Sequence, residues 1–302
     1  MLLFSGSANV SLATKVAAEL DIPLAAANIS RFPDGETQIH INTPLKGKHA
    51  FIIQSISPPV NDNLIELCLM SNALRRAGAK AITLIAPYIG YMRQDYAAAK
   101  RGEPLGSEVV ASLINACQID RLITVDLHSS RSAELFSTPI LNLSSQNIFA
   151  HDVLNKQIPN PIIVAPDVGG ALRARNFAKL LNLDLAVIQK LRTSAARTVD
   201  ILGNVQNRNC IIIDDIIDSA STICNATHAL KAYGAQRIFI YATHAVFSAY
   251  AARNIARSYY DEIVITDTIE LQNTSLNCNN LRQISVVPML AEVLKDHITV
   301  QI

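Results

Sequence analysis

The sequence predicts an α/β protein whose sheets are mainly parallel and flanked by helices, on three observations. Apolar runs of strand length recur along the whole chain, they are continuous rather than alternating, and helical patterns separate most of them. A strand buried on one face alternates apolar and polar residues. A strand that is apolar throughout is buried on both faces, as when crossover helices cover a parallel sheet. At 302 residues the chain exceeds the usual size of one core, which predicts two domains of about 150 residues each.

Taken in order, the strand-like runs are 50–54, 81–86, 122–125, 162–165, 185–188, 210–213, 237–241 and 262–266. Helical patterns occupy 63–77, 107–117, 170–181 and 221–233; the last places Ile223, Ala226, Leu230 and Tyr233 on one face. Two stretches echo each other: Ala-Gly-Ala-Lys-Ala-Ile-Thr-Leu-Ile-Ala-Pro-Tyr at 77–88 and Tyr-Gly-Ala-Gln-Arg-Ile-Phe-Ile-Tyr-Ala-Thr-His at 233–244. Each reads as a helix stopped by glycine, a short turn and a strand. Their separation is half the chain, so two related halves are one reading and a common helix–strand connector is the other. Polar residues interrupt the apolar pattern at 144–147, which sets the expected domains at 1–145 and 146–302.

Half the residues are hydrophobic, 17% are charged and the net charge is +1, so the chain carries no electrostatic case for nucleic acid or membrane as a partner. The five cysteines are widely spaced with no Cys-x-x-Cys, which argues against a disulfide framework or zinc knuckle and for reduced thiols in a cytoplasm. No cationic region precedes the short apolar start, and no apolar stretch has the length of a membrane span. A soluble, unprocessed, cytoplasmic protein is expected.

Residues 210–222, Cys-Ile-Ile-Ile-Asp-Asp-Ile-Ile-Asp-Ser-Ala-Ser-Thr, carry most of the functional information. An apolar run ends in Asp214 and Asp215, followed by Asp218 and a loop of small residues that opens a helix. At the mouth of a parallel sheet, the amides of such a loop and helix N-terminus form an anion pocket, to which Ser219, Ser221 and Thr222 add hydroxyl donors. A sugar phosphate fits both halves: its phosphate rests on the amides around Ala220 and its vicinal hydroxyls donate to the aspartates. The bland reading is an acidic strand end with Asp218 or Ser219 as a helix N-cap.

Other candidate residues lie near predicted strand ends. Arg31-Phe32-Pro33-Asp34-Gly35-Glu36 taken alone reads as a hairpin turn. Arg93 and Gln94 follow the 81–86 strand, where Arg93 could grip a phosphate, Gln94 could read a base edge and Phe32 could stack on a purine. Asp126 and His128 end another strand two residues apart, hence on one face; a cation site and a hydrogen-bonded structural pair are equally open. Asp167 precedes Gly169 and Gly170 and a helix, so it reads as a metal or phosphate-side residue or as a helix N-cap. Lys190, Arg192 and Arg197 crowd a segment without periodicity, which reads as a mobile lid bringing cations to a phosphoryl group or as solvated surface.

Together these residues resemble the class I ribose-phosphate diphosphokinases, also called phosphoribosyl-diphosphate synthetases, from Phe4-Ser5-Gly6 through Thr266-Asp267-Thr268-Ile269. The 210–222 segment alone is also similar to type I phosphoribosyltransferases, but those lack the motifs of the N-terminal half. The resemblance implies two phosphoribosyltransferase-like domains with the active site between them, and assembly into homo-oligomers, commonly hexamers. It implies an ATP site at Phe32, Asp34, Gly35, Glu36, Arg93 and Gln94, and a ribose 5-phosphate site at Asp214, Asp215 and Asp218 through Thr222. It further implies magnesium-linked positions at His128 and Asp167, with Asp126 a neighbour, and catalytic-loop cations at Lys190 and Arg192. The implied reaction moves the diphosphoryl group of ATP to the anomeric hydroxyl of ribose 5-phosphate, forming 5-phosphoribosyl 1-diphosphate and AMP for nucleotide biosynthesis.

Several positions depart from the family pattern. Ala220 and Ser221 stand where one or two glycines are usual, and a serine at 221 would be strained if that position needs a positive φ. Leu191 replaces a basic residue, Thr193 a proline, Tyr96 a basic residue, and Gly106-Ser107-Glu108 a Ser-Ala-Lys-like run. These features keep open a catalytically weak or inactive regulatory homologue.

Overall fold

The computed structural model describes residues 1–95, 102–192, 197–248, 250–271, 278 and 280–299, and the chain divides into two compact units. The first contains β1 (Leu2–Ser5), α1 (Val10–Glu19), β2 (Ala27–Arg31), β3 (Thr37–Ile41), β4 (His49–Ile53), α2 (Val60–Arg76), β5 (Ala81–Ile85), α3 (Gly106–Ala116), β6 (Arg121–Val125) and β7 (Ile140–Leu143). Five strands form a parallel sheet in the order β1-β4-β5-β6-β7, and β2 and β3 pair as a separate antiparallel ribbon. The central strands are buried across nearly their whole length, as their unbroken apolar runs require.

The second unit contains α4 (Gln146–Asn155), β8 (Pro161–Ala165), α5 (Ala171–Leu181), β9 (Leu185–Arg192), β10 (Arg197–Leu202), β11 (Asn209–Ile217), α6 (Ser221–Ala232), β12 (Ile238–Ala245), α7 (Ala251–Ile255), β13 (Glu262–Thr266) and β14 (Leu281–Ile284). Its seven strands run β10-β9-β8-β11-β12-β13-β14, all parallel except the β9–β10 hairpin. Cys210 and Ile212 enter the apolar core on one face of this sheet, while Ile211 and Ile213 enter the core on the other. Successive side chains of a strand point to opposite faces, so an all-apolar strand feeds two cores at once. The chain finally returns to the first unit as α8 (Val287–Thr299), which packs on α1 and whose Lys295 lies 3.7 Å from Glu19. A single cut after residue 145 does not capture this return.

The two echo segments fold alike. Gly78 and Gly234 take φ of +90° and +84° just after α2 and α6, a left-handed step that only glycine makes without strain. In each, the glycine N–H bonds three residues back (Arg75 O, 3.0 Å; Lys231 O, 3.1 Å) and the following alanine N–H five residues back (Leu74 O, 3.1 Å; Leu230 O, 3.0 Å). Each glycine carbonyl then accepts from a loop amide, Gly47 N–H at 2.8 Å and Asn207 N–H at 2.9 Å.

Strand limits follow pairing rather than hydropathy. The 210–213 run extends to Ile217 because β11 keeps pairing with β12 as far as Ile217↔Ala245, which draws Asp214 and Asp215 into the strand instead of a loop. The segment read as a lid is flanked by strand on both sides: β9 runs through Arg192 and pairs with β10 from Arg197. Residues 193–196, and the side chains of Lys190 and Arg192, lie outside the described residues.

Candidate active site

In the second unit, β8 and β11 are neighbours, and α5 starts six residues after β8 ends. This connection brings Arg173, on the first turn of α5, against the acidic end of β11. Its Nη1 lies 3.0 Å from Asp214 Oδ1 and 3.0 Å from Asp215 Oδ1. The site is enclosed: Arg173, Asp214 and Asp215 side chains are 20%, 16% and 3% exposed. Burial first, and then the charge of Asp215, pushes the Asp214 carboxyl up to about 8, against the pull of Arg173. Near neutral pH the aspartate pair therefore holds one proton, and Arg173 balances the remaining charge. Such a pair offers both a donor and an acceptor to the hydroxyls of a sugar.

Beyond Ile217 the chain turns into the first turn of α6. Ala220 is the residue in the left-handed region, with φ of +58°, and its carbonyl accepts the first α6 bond from Cys224 N–H at 2.9 Å. The positive φ thus falls at Ala220, while Ser221 opens the helix. Ser219 Oγ lies 3.1 Å from Ser221 Oγ, and the loop is tied down by Asn254 Nδ2 donating to Ser219 O at 2.7 Å and Ser248 N–H donating to Asp218 O at 3.2 Å. Ser221 is exposed, Thr222 half-buried, and the first amides of α6 lack intrahelical partners by construction. This is an anion-binding geometry, with the helix dipole adding to the amides. Asp167, half-buried after β8, accepts from Gly170 N–H at 3.0 Å and so caps the turn into α5.

In the first unit, Phe32 through Glu36 join β2 to β3, the hairpin that Asp-Gly signals. Asp34 Oδ1 accepts from Glu36 N–H at 3.1 Å, Gly35 has φ of +94°, and Arg31 donates to Gly35 O at 2.9 Å and to Asp62 at 3.0 Å. Phe32 is 44% exposed, an aromatic ring offered to solvent. Arg93 and Gln94 are exposed beyond the end of β5. Gln94 O accepts from Ser107 N–H (3.2 Å) and Ser107 Oγ (3.1 Å), and a Cβ at Gly106 would lie 2.5 Å from Gln94 Oε1. The glycine that breaks the family pattern at 106 therefore makes room for Gln94.

His128 is exposed just past β6, Leu127 between it and Asp126 is buried, and Asp126 takes φ of +40°, so the chain leaves the extended conformation directly after Val125. A non-glycine residue held there is strained, a feature that concentrates at functional sites. Asp126 N–H bonds Leu143 O at 2.8 Å and Leu127 N–H bonds Asn142 Oδ1 at 3.0 Å, which hold the turn. Among the described residues no three of His, Cys, Asp and Glu gather into a metal cage.

The N-terminal domain of ribose phosphate pyrophosphokinase, as a family, matches residues 1–117, and the phosphoribosyl synthetase-associated domain matches residues 192–299. The chain is 44% identical over 294 residues to the ribose-phosphate pyrophosphokinase of Ralstonia nicotianae, covering 97% of this chain and 93% of that one. This chain belongs to the ribose-phosphate pyrophosphokinases. The enzyme of that name from Haemophilus influenzae is 45% identical over 297 residues, with 97% and 94% covered. The crystal structure of phosphoribosylpyrophosphate synthetase from Mycobacterium smegmatis matches with a TM-score of 0.92 at 32% identity, covering 99% of this chain and 98% of that one. As a ribose-phosphate pyrophosphokinase the chain is an ATP-dependent diphosphotransferase, and these relatives support the enzyme over a regulatory homologue.

Two side chains of the site received no role from the sequence. Arg173 lies 41 residues from Asp214, and only the β8–β11 adjacency joins them. Asn254 lies 35 residues from Ser219 and has no motif around it.

Proposed function

We propose that the chain makes 5-phosphoribosyl 1-diphosphate and AMP from ATP and ribose 5-phosphate in the cytoplasm, with the residue roles that follow. The support is the pairing of an acidic strand end with a hydroxyl-lined helix N-terminus at β11 and α6, in a chain related over nearly its full length to enzymes of that name. The phosphate of ribose 5-phosphate rests on the amides and hydroxyls of Ser219 through Thr222, with Asp218 beside them. Asp214 and Asp215, held by Arg173, take the ribose hydroxyls. Phe32 stacks on adenine, Gln94 reads its edge, and Asp34, Gly35, Glu36 and Arg93 complete the ATP site.

The anomeric hydroxyl attacks the β-phosphorus, so the enzyme must hold two substrates in line and neutralise charge on the entering and leaving groups. Lys190 and Arg192 meet that charge from the β9–β10 hairpin. Magnesium is bound by one or two protein carboxylates together with substrate phosphates and waters, and the half-buried carboxylate of Asp167 is a ligand of that kind. Asp167 in the second unit and His128 in the first are each assigned a magnesium-linked role, and the ion when bound would shield the phosphate oxygens.

The test is AMP formation from ATP with and without ribose 5-phosphate. Sugar-dependent AMP is expected, and Lys190→Ala should lower kcat by about a hundredfold or more with KM little changed. Near-normal turnover in that variant would remove Lys190 from the mechanism. Homo-oligomers, hexamers in such a family, are expected; Ile65 and Leu69 on α2 and Val109 and Leu113 on α3 are exposed at four-residue spacing, apolar stripes suited to covering by another copy. Sedimentation velocity reads the size.

A further inference from the structure

The loop between β11 and α6 has its carbonyls taken, one after another, by the chain that follows β12. Ile217 O accepts from Val246 N–H at 3.0 Å and from Phe247 N–H at 3.1 Å, Asp218 O accepts from Ser248 N–H at 3.2 Å, and Ser219 O accepts from Asn254 Nδ2 at 2.7 Å. All but the last of these donors are backbone amides, which nearly every residue type supplies; the exception is the Asn254 side chain. It comes from α7, which is fixed to α6 independently of the loop. Ala251 and Ile255 enter the same apolar core as Ala220 and Ile223, and just beyond them Arg257 O lies 2.9 Å from His228 Nε2 and Tyr259 N–H donates to Thr227 Oγ1 at 3.2 Å.

Given that this loop takes ribose 5-phosphate, on which the inference rests, we propose that Asn254 is a positioning residue for the sugar phosphate: by holding Ser219 O it keeps Ala220 left-handed and turns the Ala220 N–H toward the phosphate. In a planar trans peptide the N–H of one residue points opposite to the C=O of the residue before it. A donor that grips Ser219 O from the side of α7 therefore sends Ala220 N–H to the other side. Alanine does not choose this state by itself, since its φ here is +58°. A flip of the peptide between Ser219 and Ala220 is the rotation that separates type II from type I turns, in which the following φ passes from about +80° to about −90°. It would return Ala220 to a relaxed conformation with its N–H reversed. Left-handed geometry disfavours alanine by about 5- to 30-fold, whereas glycine is indifferent to it. Where the family pattern has glycine this chain has alanine, and the restraint that glycine does without is the Asn254 bond. Asn254 acts through the loop and not on the substrate.

Steady-state kinetics of the full-length enzyme, with ribose 5-phosphate and ATP varied separately, test this in a cycle of Asn254→Ala, Ala220→Gly and the double variant. Once the restraint is gone the flipped state competes, and apparent affinity falls with the competent fraction. KM for ribose 5-phosphate should therefore rise about 5- to 30-fold in Asn254→Ala, with KM for ATP within about twofold of wild type. In the Ala220→Gly background the same substitution should raise KM for the sugar by less than about threefold, because glycine holds the left-handed state unaided. Asn254→Asp keeps the shape but has no side-chain N–H to donate when ionised, and should raise KM for the sugar at least as far as Asn254→Ala; far-UV circular dichroism verifies that each variant folds. An unchanged KM for the sugar in Asn254→Ala and Asn254→Asp, an equal rise in both backgrounds, or a parallel rise in KM for ATP would overturn the proposal while leaving the site assignment standing. AMP formation by the unaltered enzyme that ignores the sugar would instead overturn the ribose 5-phosphate assignment, and the proposal with it.

Discussion

Replacing Arg173 by methionine tests the buried charge triad at the end of β11. Its Nη1 sits 3.0 Å from one oxygen of each aspartate, and with one carboxyl protonated the single ion pair is worth roughly 5 kcal/mol at an effective dielectric near 20, before desolvation. Removing one partner of such a buried pair costs about 3–5 kcal/mol, because the remaining charge is left uncompensated. The dependence on pH separates this from a simple packing defect. Asp214 is raised to about 8 by burial and Asp215, so the native state keeps a proton that the unfolded chain has already released. Stability therefore falls as pH climbs from the unfolded carboxylate value to about 8, and then levels. Without Arg173, which lowers this value, the native pKa moves higher and the decline continues above it. The gap between wild type and variant should widen above about pH 8 by about 1.4 kcal/mol per pH unit, until the variant's own pKa is reached. The chain has no tryptophan, so urea unfolding followed by far-UV circular dichroism at about pH 6.5, 8 and 9.5 is the assay. A gap that stays the same across that range would refute the assignment of Arg173 as the counter-ion of the pair.

Gly106→Ala places a Cβ 2.5 Å from Gln94 Oε1, which must move; KM for ATP should rise about 3- to 30-fold with the circular dichroism spectrum unchanged, and an unaltered KM would remove Gln94 from the ATP site. Ala220→Gly relieves a left-handed alanine worth about 1–2 kcal/mol, but loses a buried methyl of about 0.8 and adds about 0.5–1 of chain entropy. These nearly cancel, so its melting temperature should stay within about 3 °C of wild type. Burial favours the protonated form of Asp152, but hydrogen bonds from Arg282 (2.6 Å) and Tyr241 (2.7 Å) overcome it and hold the carboxyl below its usual range. The stability this supplies is present above the unfolded carboxylate value and is lost as pH falls through the lowered native one. Arg282→Met, at a side chain 39% exposed, should cost about 1–2 kcal/mol near neutral pH and flatten the acid limb of an unfolding titration.

The fold class was legible in the sequence because burial on both faces leaves a local mark: Ile211, Ile212 and Ile213 in a row admit no solvent face, and the structure sends them to two cores. Helix ends were legible for the same reason, since Gly78 and Gly234 supply a backbone angle that a neighbouring residue type cannot. The phosphate loop was legible in kind, from hydroxyls and small residues after an apolar run, but its strained position was not. Ala220 and Ser221 carry nothing that says which of them turns left-handed; the bonds of Asn254 and Ser248 to the loop accompany that choice.

What the residues determined unaided is what depends on near neighbours: periodicity, turn chemistry, the order of acids, hydroxyls and glycines, and through them the family. What tertiary structure alone decided is which distant side chains share a dielectric. Arg173 meets Asp214 and Asp215, and Asn254 meets Ser219, only because helices and strands far apart in the chain are packed side by side. Acidity and charge balance depend on distance and burial, and these come into being only when the sheets close over their cores.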